Sequence, residues 1–243
     1  MRWMPLALCA GLALAGCGGE GEPAVSPSPE ATATRAPEDG AFVRILSPEP
    51  GSAVATPLFI AGDASVPEGR LVVSIRTRAG VVVCAAPTLA DAGAPAVGSW
   101  SVPVGLRPPP EPGDIVVEAY AAPAPGGDLA LMDSVSLRLT TAHPAILVSS
   151  PQCGDTVGAA VSIEGTASVF EGTVSLTARD LAGRTLAEGF TTATQGAPGR
   201  GSFAATLRLP AGVSGPVLIE AWSANAETGS PEHVFGVPVI VSP

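Results

Sequence analysis

The stretch IEGTASVFEG occupies residues 163–172, and a related stretch, IAGDASVPEG, occupies residues 60–69. Isoleucine, glycine, alanine, valine, glutamate and glycine recur at the same spacing, 103 residues apart. The register continues outside these stretches, because Trp100 aligns with Phe203 and, after one deletion, Tyr120 aligns with Trp222. Internal repetition of this extent predicts two copies of one domain of about 100 residues.

The composition is typical of an all-β protein with many turns. The chain has 29 glycines and 26 prolines, no lysine, and only two histidines. Valine, threonine, glycine and proline interrupt short segments, and no long helix-forming run occurs in this pattern. The net charge of -10 excludes nucleic acid as a partner, since phosphate binding needs clustered lysine and arginine. The acidity also disfavours binding of anionic lipid through the folded surface.

Residues 1–16 have the pattern of an export signal, with one arginine followed by an apolar run too short to span a bilayer. The run ends in Leu14-Ala15-Gly16-Cys17, which resembles the lipobox of bacterial lipoproteins. That resemblance implies cleavage before Cys17, a lipid on its sulfur, and anchoring of an extracytoplasmic protein to the bacterial cell membrane. The alternative is an ordinary signal peptide with an unrelated cysteine near its end.

Residues 17–41 follow the signal and are rich in proline, serine, threonine and glutamate. They contain no periodic apolar face, so they cannot bury enough surface to offset the entropy of ordering. We expect this segment to be a disordered tether between the lipidated cysteine and the folded part. O-glycosylation of the tether is left open.

The rest of the chain divides into module 1, residues 42–141, and module 2, residues 145–243. In module 2, seven short runs with alternating apolar residues are separated by turn residues. These runs cover residues 145–149, 160–168, 173–180, 185–190, 201–209, 217–223 and 234–241. Seven such strands predict an immunoglobulin-like β-sandwich. Module 1 repeats the alternation, and the aligned Trp100 and Phe203 are predicted to face the two cores.

The order of motifs resembles a known bacterial domain. A Ser-Pro pair precedes the repeated stretch, a strand then ends near a glycine, Gly201-Ser-Phe203 follows, and module 2 closes on Val239-Ile-Val241. This order is similar to the immunoglobulin-like domain of spore-germination and sporulation proteins. The resemblance implies an extracytoplasmic accessory domain without known catalytic activity, and it transfers no binding site to any residue.

One set of residues is a candidate recognition face. In each module a glutamate and an aromatic residue share one strand face, and an arginine is expected across from them on the neighbouring strand. Such residues form a cross-strand ion pair or, alternatively, a surface for partners. An outward-facing phenylalanine in module 1 is a further candidate for a contact between modules or with a partner. The candidates are Arg76, Glu118, Tyr120, Arg179, Glu220, Trp222 and Phe59.

Catalytic and metal chemistry have little support in the sequence. Glu68 and Glu171 precede a glycine in both copies, and we expect their carboxylates to accept backbone N–H bonds instead of binding a metal. His143 and His233 lie in turns without an evident catalytic partner. No nucleophile elbow, zinc-binding helix or phosphate loop occurs. We therefore expect no enzyme activity, no metal and no cofactor.

Cys84 and Cys153 remain in the folded region after export, one in each module. An oxidising compartment favours a disulfide between them, and such a bond would join the modules. Against it, a strand running from residue 145 could carry Cys153 about 26 Å from the linker. The sequence favours two separate thiols on this ground and leaves the disulfide open.

These observations together predict a lipid-anchored protein whose tandem immunoglobulin-like domains act as a non-catalytic binding or envelope-organising module. The resemblance adds a link to sporulation or germination. The expected partners are the membrane, through Cys17, and a protein or cell-wall component of the envelope. The alternative is a structural spacer that presents or stabilises a partner envelope complex.

Overall fold

The computed structural model describes residues 40–106, 112–122 and 128–242, and it shows two tandem immunoglobulin-like β-sandwiches. Each sandwich packs a three-stranded sheet against a five-stranded sheet. This confirms the predicted fold class. The predicted signal, the lipidation site Cys17 and the tether up to residue 39 lie outside the described residues.

Module 1 contributes the first eight strands. They are β1 (Phe42–Ser47), β2 (Ala53–Val54), β3 (Leu58–Ser65), β4 (Arg70–Thr77), β5 (Val82–Leu89), β6 (Gly98–Val104), β7 (Gly113–Ala121) and β8 (Ala130–Leu139). The small sheet has the order β1-β3-β6, and the large sheet has the order β2-β8-β7-β4-β5.

Module 2 repeats this order strand for strand. Its strands are β9 (Ile146–Ser150), β10 (Thr156–Val157), β11 (Ala160–Ala167), β12 (Thr173–Arg179), β13 (Thr185–Thr192), β14 (Gly201–Arg208), β15 (Gly215–Ala224) and β16 (Pro231–Val241). The small sheet has the order β14-β11-β9, and the large sheet has the order β10-β16-β15-β12-β13.

The described residues of each module form eight strands, whereas the sequence predicted seven. The first strand is split: β1 and β9 pair antiparallel within the small sheets, while β2 and β10 pair parallel within the large sheets. The chain changes sheets at Ser47-Pro48 and Ser150-Pro151, whose peptide bonds are cis. The two-residue strands β2 and β10 were missed because they are too short to show an alternating pattern.

The alternation does place the predicted side chains in two separate cores. Trp100 and Phe203 are 3% and 4% exposed, and each packs in the core of its own module. Gly62 and Gly165 lie beneath these rings, where an added Cβ would overlap the ring and the backbone of the first strand. The repeated glycine therefore makes room for the large aromatic residue in both copies.

Strand β16 differs from its counterpart β8 because both of its faces are covered. The outward residues Ser134 and Ser136 of β8 are exposed, as expected for one side of an antiparallel sandwich. The matching residues of β16, Gly236 and Pro238, are buried. Module 1 covers this face, because β6 packs against β16.

Within the described residues, a backbone hydrogen bond and a disulfide link the modules at this boundary. The backbone N–H of Gly105 donates to the carbonyl oxygen of Gly236 over 2.7 Å. A disulfide joins Cys84 on β5 to Cys153, with 5.5 Å between their Cα atoms. Cys153 does not lie far from Cys84, as an extended strand would predict, because the chain turns at Pro151 and the N–H of Gly154 bonds to the carbonyl oxygen of Pro238 on β16. Cys153 is thereby held at the module boundary.

Candidate functional site

A cleft of about 340 Å³ lies between the two modules. Module 1 supplies residues of β3, β5 and β6, and module 2 supplies residues of β12, β15, β16 and the hairpin after β12. Most of the side chains that line the cleft are apolar. They include Phe59, Leu89, Pro103, Leu181, Leu218 and Pro238. The cleft exists only because the modules are joined, since neither module forms both walls.

An ion pair contributes the main charged groups of the cleft. The guanidinium of Arg179 donates to Glu220 over 2.8 Å and also to the carbonyl oxygen of Gly183 over 3.2 Å. The Glu220 side chain is 14% exposed and the Arg179 side chain 35% exposed. Because each charge is compensated within the protein, the pair keeps this part of the cleft polar but neutral.

The hairpin after β12 forms one lip of the cleft and is fixed by Asp180. Its carboxylate accepts hydrogen bonds from the backbone N–H and the guanidinium of Arg184, at 2.9 and 2.7 Å. Partial burial alone would raise the pKa of Asp180, but these bonds and the positive charge of Arg184 lower it. The hairpin thus holds Leu181 in the cleft wall.

The duplication provides an internal comparison for the cleft. At several positions that line the cleft, one copy carries an apolar residue and the other copy a polar one. The pairs are Phe59 and Ser162, Leu89 and Thr192, Pro103 and Thr206, Leu181 and Arg78, and Pro238 and Ser136. Most core positions, by contrast, carry apolar residues in both copies. The change from polar to apolar at the listed positions is therefore a feature of the boundary.

Phe59 is the side chain at the cleft that is hardest to explain by packing. It is 60% exposed although it pairs with the buried Pro103 across β3 and β6. Burying a phenylalanine side chain is worth about 1.5–3 kcal/mol, which this position forgoes. An exposed aromatic side chain on the rim of an apolar cleft is a feature of recognition surfaces.

The residues predicted to form one recognition face do not lie together in the structure. Phe59, Arg179 and Glu220 line the cleft together. The corresponding residues of module 1 form a separate cluster: Glu118 accepts hydrogen bonds from Arg76 over 2.5 Å and from the Tyr120 hydroxyl over 2.6 Å.

This module 1 cluster is internally satisfied. Burial and the hydrogen bond to Glu118 raise the pKa of Tyr120, and the bond to Glu118 also raises the pKa of Arg76. The register places Ser74, not Arg76, directly across from Glu118, so the ion pair is diagonal. The interpretation as a cross-strand ion pair fits this cluster better than a recognition surface does.

Trp222 lies two residues after the cleft residue Glu220 on β15, on the same outer face of the large sheet. Its indole N–H donates to the Thr177 hydroxyl over 3.0 Å, while Arg179 forms the predicted ion pair with Glu220. Ser175 separates Trp222 from Phe190, which is 76% exposed. Phe190 was not among the residues predicted from the sequence; it occupies the position of Pro87 in module 1.

The repeated glutamates have a conformational role in the loops before β4 and β12. Glu68 and Glu171 adopt positive φ angles of 55° and 52°. The expected carboxylate bonds to backbone N–H groups are absent from the described residues; Glu68 instead accepts from Arg70 over 2.8 Å. Backbone bonds fix the loop, such as Ala90 N–H to the Gly69 carbonyl over 2.9 Å. The expectation about these carboxylates was wrong.

Two further observations concern residues 40–106, 112–122 and 128–242. Within them, no group of three or more histidine, cysteine, aspartate or glutamate side chains is arranged to hold a metal ion. Among the same residues, no helix is long and apolar enough to cross a membrane.

A family of known bacterial domains matches both modules of the chain. The model of the immunoglobulin-like domain of bacterial spore germination matches residues 42–128 and again residues 145–230. The chain belongs to this family. This match confirms the family that the sequence motifs resemble, and the two modules are called germination-type domains below. No curated protein matches the chain.

Solved structures with similar domains are distant in sequence. A biofilm associated protein BSP domain is 13% identical, with a TM-score of 0.26, 83% of this chain covered and 30% of that chain. Dimeric latent PorU from Porphyromonas gingivalis is 11% identical, with a TM-score of 0.31 and coverages of 84% and 20%. The human OSCAR ligand-binding domain is 12% identical, with a TM-score of 0.24 and coverages of 82% and 95%. The chain thus spans less than a third of the first two, and these likenesses do not bear on its function.

Proposed function

We propose that this protein is a non-catalytic binding module of the bacterial envelope that holds a partner in the cleft between its two germination-type domains. The observation that carries the proposal is the apolar cleft itself. Several of its apolar lining positions, such as Phe59, Leu89 and Leu181, are polar in the other copy of the domain, and Phe59 stays exposed at its rim. The partner is a protein or cell-wall component of the envelope.

Anchoring belongs to the same proposal. Leu14-Ala15-Gly16-Cys17 supports lipidation of Cys17 after export, which places the domains outside the cytoplasm at the membrane. The cystine between Cys84 and Cys153 fits an oxidising, extracytoplasmic compartment. Family membership supports a role connected with spore germination or sporulation.

The second candidate function is a structural spacer. It is favoured by the covalent and hydrogen-bonded boundary, which makes a stiff two-domain unit suited to holding a partner complex at a fixed distance. A spacer has no use for an exposed phenylalanine on the cleft rim, so the cleft favours binding.

Site-specific photo-crosslinking separates the two functions. Benzoylphenylalanine replaces Phe59 in the full chain, produced in its native envelope, and a matched chain carries it at Ser162, the exposed duplicate position. Binding in the cleft predicts a discrete crosslinked adduct from position 59 and none from position 162. Equal adducts at both positions, or none at position 59, would contradict binding in the cleft and favour the spacer.

A further inference from the structure

A shallow groove extends the cleft along the outer face of the module 1 small sheet. The groove has a volume of about 830 Å³ and shares Leu89, Ser101, Leu181 and Gly183 with the cleft. It runs between this sheet and the hairpin of module 2. Cleft and groove together form one elongated surface, which suits an extended chain segment better than a compact small molecule.

Two carboxylates stand at the far part of the groove. Asp63 accepts from the Ser99 hydroxyl over 3.3 Å, and Asp91 accepts from the Ser99 backbone N–H over 2.8 Å. In residues 40–106, 112–122 and 128–242, no arginine forms an ion pair with either carboxylate. Arg44, across from Asp63 on β1, lies over the Phe42 ring at 5.4 Å.

The duplicate positions show that these carboxylates are not needed by the fold. Thr166 and Thr194 occupy them in module 2. The Thr194 hydroxyl accepts from the Ser202 backbone N–H over 3.0 Å, which is the bond that Asp91 makes with Ser99. A neutral residue therefore supports the same loop, and a negative charge at these two positions is particular to module 1.

We propose that the cleft and groove bind an extended basic peptide segment of a partner protein, with a large apolar side chain beside Phe59 and an arginine or lysine on Asp63 and Asp91. This inference rests on the proposed binding function and adds the chemistry of the partner. Paired carboxylates complement a guanidinium or ammonium group, and the apolar cleft supplies the larger share of the affinity.

A second copy of this chain is a poorer occupant than a separate basic partner. The chain carries a net charge of -10, so two copies repel one another. The same charge accelerates the approach of a basic segment at low salt.

The test is selection of a random heptapeptide library, displayed on phage, against the full chain purified in detergent and immobilised. The proposal predicts enriched peptides that combine arginine or lysine with a large apolar residue. An enriched peptide, made synthetically, should bind the Asp63→Thr/Asp91→Thr variant about fivefold or more weakly. The substituted threonines reproduce the side chains of module 2, so the variant keeps its fold.

A matched control removes the same charge elsewhere. The Glu164→Thr/Glu188→Thr variant replaces two exposed carboxylates of module 2 and should bind the peptide as the unmodified chain does. Acidic or neutral enriched peptides, no enrichment, or equal binding to both variants would overturn the inference. Concentration-dependent dimers that are abolished by Phe59→Ser would overturn it in favour of a second copy. A crosslink confined to position 59 would in those cases leave the proposed function standing.

Discussion

The backbone N–H of Gly105 and the carbonyl oxygen of Gly236 form a hydrogen bond of 2.7 Å across the boundary between the two domains. Both residues must be glycine for this approach. A Cβ at Gly105 would overlap the Phe235 ring, and a Cβ at Gly236 would overlap the carbonyl of Pro103. The duplicate of Gly105 is Arg208, which is exposed. Close packing of the domains thus depends on the absence of a side chain at both Gly105 and Gly236.

Gly105→Ala should therefore destabilise the boundary. The added methyl group forces Phe235 or β16 to move, and overpacking of this kind costs about 1–3 kcal/mol in unfolding free energy. Urea denaturation followed by intrinsic fluorescence measures the loss. Ser134→Ala, on the open face of β8, is the control and should stay within about 0.5 kcal/mol of the unmodified chain. An unchanged midpoint for Gly105→Ala would show that the boundary does not contribute to stability.

The two aromatic core residues should be equivalent in the two copies. Trp100→Ala and Phe203→Ala each remove a side chain less than 5% exposed above a glycine. Each should lower the unfolding free energy by about 3–5 kcal/mol. Equilibrium denaturation of the two variants measures this loss. A loss under about 1 kcal/mol for either would mean that the ring lies outside the core.

Asp180 gives the hairpin a predictable pH dependence. Its pKa is lowered in the folded protein, so it contributes stability above the unfolded value of about 3.9. That contribution is lost as the pH falls through the lower folded pKa. Asp180→Asn should be slightly less stable at pH 7, by less than about 1 kcal/mol because Arg184 is exposed.

Denaturation of this variant and the unmodified chain should be compared between pH 7 and pH 2. The difference should shrink as the pH falls, because protonation of Asp180 removes the charge that pairs with Arg184. A difference that stays constant over this range would contradict a charged Asp180–Arg184 pair.

Lipidation is tested in cells with an alkyne analogue of palmitate. The unmodified chain should be labelled, and Cys17→Ala should not be labelled and should be released or left unprocessed. Cys9→Ala is the control: Cys9 lies in the apolar run of the signal, so its loss should leave labelling intact. Equal labelling of the Cys17 variant would show that Cys17 is not the site of lipidation.

Much of the fold follows from local pattern in the sequence. Burial alternates along strands such as β12, and a one-residue slip would expose all of its core residues, so the pattern specifies each face. The second copy of the domain shows the same alternation of apolar residues and so supports the assignment of each face independently. The two-residue strands β2 and β10 were missed because they have no period.

The candidate site was harder to predict, because it depends on how two domains pack. Phe59 could be identified as outward-facing, but its neighbours Leu218 and Pro238 come from the other domain. Alternation gives the side of a sheet and carries no information about what covers it. One signal was present in the sequence and unused: several boundary positions differ in polarity between the copies, as Leu181 and Arg78 do.

The disulfide shows the same limit. A chain extended from residue 145 separates Cys153 from Cys84, and only the change of sheet at Pro151 returns it to the boundary. A turn between sheets is set by long-range pairing, here of β10 with β16. Spacing along the sequence does not report such pairing.

The cleft exists only if the two domains form one rigid unit. Residual dipolar couplings of the backbone amides, measured in a weakly aligned sample, test it directly. The account predicts that one alignment tensor fits both domains. In the triple variant Cys84→Ser/Cys153→Ser/Gly105→Ala, each domain should keep its internal structure, so the couplings of each domain should fit one tensor, but the two domains should require different tensors. Two tensors of different magnitude in the unmodified protein would contradict the account.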